Sequence, residues 1–157
     1  MSFETAQKYL ASLGMEDRIR QFSVSSATVE LAAQAVGCEP ARIAKTLSFL
    51  IGDSCILIVT AGDQKIDNSK YKAQFHTKAK MPDFNQVENV TGHAAGGVCP
   101  FGIHDGVQVY LDISLKRFDE IYPAAGSNNS AVLLSPEELA QCAEHFAGWI
   151  DVCKSIG

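Results

Sequence analysis

This sequence predicts an α+β fold around a mixed, mostly antiparallel sheet, and three observations carry that prediction. Apolar residues at helical spacing fall in short, capped runs. Two apolar stretches, residues 45–51 and 54–61, meet at Gly52-Asp53, a hairpin-type turn. Further strand-like runs then alternate with helical turns, without a repeat, a low-complexity tract or a linker, so one domain over residues 1–157 is expected.

In chain order, Ser2 caps a helix over 3–13, with Phe3, Ala6, Tyr9, Leu10 and Leu13 on its apolar positions and Gly14 as its stop. Residues 18–24 alternate polar with apolar and read as a strand. Thr28 caps a second helix over 29–36 that Gly37 ends, and Pro40 opens a helical turn reaching Ile43. After the hairpin, Asp67-Asn68-Ser69 offers a cap for a helix through Phe75. Pro82-Asp83 begins a short helix with Phe84, Val87 and Val90 on one face. Residues 107–112 read as a strand, 114–118 as a helical turn, 121–122 as extended, 124–130 as a loop and 131–134 as a strand. Ser135-Pro136 supplies the cap and first-turn proline of another helix, and residues 149–152 make a last strand.

Composition narrows the function classes. With 157 residues, 46% hydrophobic, the chain can bury a sizeable core. A net charge of −5 argues against a broad basic footprint on duplex nucleic acid, and no DNA partner is expected, while room is left to grip one terminal nucleotide. The five cysteines are scattered, without a CxxC pair, and the four histidines show no HxH or HExxH spacing, so no metal is expected. No P-loop, dinucleotide fingerprint or nucleophile elbow appears, so no cofactor is expected either. No apolar run is long enough to cross a bilayer and no cleavable leader is visible; a soluble, cytoplasmic protein without a membrane partner is expected.

The chemistry concentrates in Gly96-Gly97-Val98-Cys99-Pro100-Phe101-Gly102. Paired glycines let a ligand approach the backbone, and Pro100 stiffens the loop, so its N–H groups can converge on an oxygen; an ordinary turn fits the same residues. Lys45 opens an apolar strand and shares a side with Leu47 and Phe49. There it either meets an anion or snorkels to water. Thr46 and Ser48, on the other side, either bond a ligand or line a solvated face. His93 is kept as a neighbour of the loop. Cys99 is a reactive thiol or a small apolar filler, and Asp112 receives a lysine or loop amide or caps the turn at Ser114.

Taken together, Lys45-Thr46-Leu47, the Gly96-x-x-x-Pro100 frame, Leu111-Asp112, Gly126-Ser127 and the Ser-Pro-Glu-Glu-Leu helix resemble the YbaK/EbsC family. Its members are relatives of the editing domain inserted in bacterial prolyl-tRNA synthetases. The resemblance runs from the first helix to the Trp149 strand. It implies a partial barrel flanked by helices and hydrolysis of the ester joining a wrong amino acid to tRNA. In that scheme Lys45 holds a phosphate or the ribose of the terminal adenosine. The backbone of Gly96, Gly97 and Val98 faces the aminoacyl carbonyl or the sugar, and a ribose hydroxyl of the substrate helps orient the water. Thr46 and Ser48, the loop residues Cys99, Pro100, Phe101 and Gly102, and the later Asp112, Gly126 and Ser127 surround the substrate. The implied partners are the aminoacyl-tRNA acceptor end and an aminoacyl-tRNA synthetase. The branch that clears cysteine carries an aspartate after the late glycine segment, whereas residues 126–132 here hold no acid, which suits another small residue such as alanine on tRNA-Pro or a related tRNA. A non-catalytic module that binds the tRNA end or a synthetase is the alternative from another class.

Overall fold

The computed structural model describes residues 2–156. Five helices, α1 (Ser2–Ser12), α2 (Val29–Val36), α3 (Asn68–Phe75), α4 (Val87–Thr91) and α5 (Pro136–Cys142), surround nine strands. These are β1 (Ile19–Gln21), β2 (Ile43–Ile51), β3 (Ser54–Ala61), β4 (Gln64–Ile66), β5 (Gln108–Asp112), β6 (Tyr122–Pro123), β7 (Ser130–Val132), β8 (Phe146–Ile150) and β9 (Cys153–Ser155). Local chemistry explains most of the starts and stops. The Thr28 hydroxyl accepts the Leu31 N–H and Gly37 closes α2 in the left-handed conformation. Asp67 caps α3 through the Lys70 N–H. Ser135 and Glu138 exchange hydrogen bonds as a capping box ahead of α5.

The central sheet runs β6-β2-β3-β5-β8 and is mixed, as expected. Its antiparallel element is the β2–β3 hairpin, whereas β6, β5 and β8 join in parallel. The two remaining ribbons, β1–β7 and β4–β9, are antiparallel. Parallel joins need crossovers, and here helices and long loops between the strands provide them. The sheet curls into a half-barrel with a core on each face. On one side Leu57, Val59, Val109 and Leu111 pack with Ala6, Leu10, Phe101 and Leu139. On the other, Phe49, Ile56 and Ile58 pack with Tyr71, Val152 and Cys153.

Several expectations need correction. Phe84 does not join Val87 and Val90 on one apolar face: it is 83% exposed. Phe84–Gln86 is a 3-10 turn held by an Asp83–Gln86 capping box, and α4 starts only at Val87, so the helical phase breaks between them. The strand expected over 18–24 is confined to Ile19–Gln21, after a 3-10 turn at Glu16–Arg18. The strand expected over 149–152 is β8, which begins earlier, at Phe146, and ends at Ile150. β4 and β9 were not anticipated, because three-residue, largely polar strands carry too little alternation to be seen.

Candidate active site

A cavity of about 340 Å³ opens along β2. It exists because β6 pairs with β2 only at Ile43 and Ala44. Further along, the same edge is taken up again when the Leu50 N–H donates to the Lys80 carbonyl at 2.7 Å. Between those points Thr46 and Ser48, in phase with Ala44 and Leu50, turn their backbone N–H and C=O groups toward the open edge. Residues 43–48 form the floor; Ser26, Thr28 and Val29 at the start of α2 form one wall. Ala95, Gly96 and Val98, then Tyr122, Ala124, Ser130 and Ala131, complete the lining with the buried Val87, and the exposed Met81 stands at the rim.

Lys45 therefore lines the same hollow as Gly96 and Val98 of the glycine loop. Burial pushes its pKa below the usual lysine range, against weaker opposing pulls from Cys153, Asp63 and Glu30. A half-buried cation without an ion-pair partner among the described residues favours an incoming anion. The Thr46 hydroxyl and the Ser26 hydroxyl are buried without a hydrogen-bond partner, and both residues line the cavity. Ser48 is buried as well. The side carrying Thr46 and Ser48 is thus a cavity wall and not a solvated face.

The loop divides its residues between two jobs. Gly96, with φ of +92°, and Val98 face the cavity. Gly97 faces away from it: its N–H donates to the Ala94 carbonyl, and a Cβ there would lie 2.8 Å from the Gly126 carbonyl and the Ser127 nitrogen. Its expected place among the amides facing the substrate is therefore corrected to a close contact between two loops. Gly126 and Ser127 stand behind the wall, and the Ser127 hydroxyl bonds Asn129 and Ser130.

Cys99, Pro100 and Phe101 are buried, and Cys99 and Phe101 belong to the main core, so their expected substrate contacts are not found. Burial raises the Cys99 thiol to about 12, which makes it a filler and not a nucleophile. Gly102 packs on α1, where a Cβ would meet the Thr5 carbonyl at 2.7 Å. His93 is fully buried and braces the loop by a 2.7 Å bond from its Nε2 to the Phe101 carbonyl; burial lowers its pKa and keeps it neutral. Asp112 accepts from the Ser114 and Val152 N–H groups, both at 2.9 Å, a capping role away from the cavity. The α2 start, Met81 and the β6–β7 end were missed in the sequence, where Thr28 signals only a helix cap and Met81 only a loop residue. No histidine, carboxylate or thiol lines the cavity among the described residues.

A sequence profile of the aminoacyl-tRNA editing domain matches residues 24–142, from the α2 wall to the end of α5. The chain belongs to the aminoacyl-tRNA editing domain family. It is 49% identical to the uncharacterized Bacillus subtilis protein YwhH over 98% of both chains. It is 28% identical to the multifunctional Ser/Thr-tRNA deacylase ProXp-y of Escherichia coli K12 over 57% of this chain and 54% of that one. A crystal structure of a candidate trans-editing enzyme for prolyl-tRNA synthetase superposes with a TM-score of 0.87 at 27% identity, over 98% of each chain. Family and relatives together indicate an aminoacyl-tRNA deacylase of the trans-editing kind.

Proposed function

We propose that this protein hydrolyses the ester of tRNA carrying a wrong, small amino acid, on tRNA-Pro or a related tRNA, and that the β2 cavity is where it does so. The supporting observation is the shared hollow of Lys45, Gly96 and Val98 beside the open edge of β2. Lys45 draws in the terminal phosphate or ribose. The N–H groups of Gly96 and Val98 stabilise the oxyanion that forms as water attacks the carbonyl; such preorganised donors lower a barrier by about 3–4 kcal/mol each. The cavity holds no general base among the described residues, so a ribose hydroxyl of the substrate orients the water. A hollow of about 340 Å³ with mostly apolar walls suits a small side chain and part of a nucleoside.

The same lack of a base also fits a module that binds the acceptor end without turnover. A deacylation panel of mischarged tRNAs separates the two readings. Release of a small amino acid from at least one member is the expected result; tight binding with no release from any member would replace the enzyme with the binding module.

A further inference from the structure

Among the described residues, four of the chain's 13 Lys and Arg residues pair with a carboxylate. Arg18, Arg42, Lys70 and Arg117 pair with Glu138, Asp119, Asp151 and Asp63. One run of the chain stands out because no acid interrupts its lysines. Residues 68–82 hold four of the 13 basic residues and none of the 18 acidic ones, in a protein of net charge −5. Of these, Lys72, Lys78 and Lys80 are exposed, with no carboxylate partner among the described residues. The strip starts on α3, which packs through Tyr71 on Phe49, the β2 residue that shares a face with Lys45. It then runs along the open edge of β2, where Lys80 accepts from Leu50, and ends at Met81 on the cavity rim. Met81 is 56% exposed and Phe84, three residues on, is 83% exposed. A line of unpaired lysines ending in an uncovered aromatic ring beside a cavity has the chemistry of a nucleic-acid track: phosphates on the cations, a base on the ring.

We propose that this strip seats the acceptor stem of the RNA, with Lys72, Lys78 and Lys80 on its phosphates and Phe84 stacked on a base of the unpaired 3′ tail. The inference rests on the editing reading above, for it supplies the grip that an otherwise acidic protein needs. Charge sign selects the occupant: in a protein of net charge −5, an acid-free run of exposed lysines attracts a polyanion.

The test uses the full chain and two uncharged RNAs, a hairpin ending in an unpaired 3′ tail and the same hairpin cut to a blunt end. The Lys72→Glu/Lys78→Glu/Lys80→Glu variant should weaken binding of both by at least about tenfold and flatten the log Kd against log salt slope by about 2–3. Phe84→Ala should weaken only the tailed hairpin, by about tenfold. Neither change touches a core side chain, and an unchanged melting midpoint verifies that. Wild-type affinity and salt slope in the triple variant, or no hairpin binding by the wild-type chain, overturn the proposal. Equal losses on both hairpins in Phe84→Ala remove the stacking role. Because the RNAs carry no amino acid, these results stand apart from the deacylation panel: intact hairpin binding with no release from any mischarged tRNA refutes the enzyme and leaves the track.

Discussion

One methyl group at Gly97 tests whether the contact between the two loops holds the site in shape. Alanine there places a Cβ 2.8 Å from the Gly126 carbonyl and the Ser127 nitrogen, where ordinary contact starts at 3.4 Å. The loops must then part by about 0.6 Å, because interiors are packed without slack. The opposing atoms are all backbone, so no rotamer change relieves them. Overpacking of this kind costs about 1–3 kcal/mol, a fall of roughly 2–10 °C in melting midpoint for a chain of this size. The displaced wall carries Gly96 and Val98, so kcat should drop by about ten- to a hundredfold. Gly96→Ala is the comparison: its φ of +92° strains an L-residue, but its Cβ meets nothing closer than 3.8 Å. Thermal unfolding by circular dichroism and the rate of amino-acid release read the two effects separately. A Gly97→Ala protein with wild-type midpoint and wild-type kcat would refute the argument.

Three other substitutions probe the remaining assignments. Lys45→Met should lower turnover by about 10²–10³ while raising the melting midpoint at pH 7. Its pKa is depressed in the folded chain, so the cost of keeping the amine charged is full below that depressed value and fades as pH climbs toward 10.5. The advantage of methionine should therefore shrink in alkaline buffer, and a lower midpoint at pH 7 would count against it. Asp112→Ala leaves the Ser114 and Val152 N–H groups without their acceptor, at about 1–3 kcal/mol for each unsatisfied donor; kcat measured well below the new midpoint should not move. Cys99→Ala should cost about 1 kcal/mol for the lost sulfur and retain turnover. Wild-type protein should likewise resist inactivation by iodoacetamide, and rapid loss of activity would return the thiol to the mechanism.

The elements that could be read in advance were those whose signal is local. Thr28 and Gly37 bracket α2 with the residues that satisfy its end groups, and Gly52-Asp53 turns the hairpin at its expected place. Lys45 and the Gly96–Pro100 frame were legible for the same reason, as short motifs with distinctive chemistry. The strand pairing was not: β5, β6 and β8 join in parallel across long connections, and nothing in a run of apolar residues specifies its neighbour. Phe84 misled because a 3-10 turn shifts the phase that helical spacing assumes.

By itself the sequence determined where the capped helices and the β2–β3 hairpin form and which glycine-rich loop to examine, since caps, turns and alternation act between residues a few positions apart. Tertiary structure alone decided that Gly96 and Val98 face the hollow while Gly97 backs onto Gly126, that Ser26 reaches the wall by pairing its N–H with the Asn128 carbonyl, and that the lysines of 72–80 lead to the rim. Those facts depend on which distant segments share a wall, and burial settles that only once the whole chain has closed around its two cores.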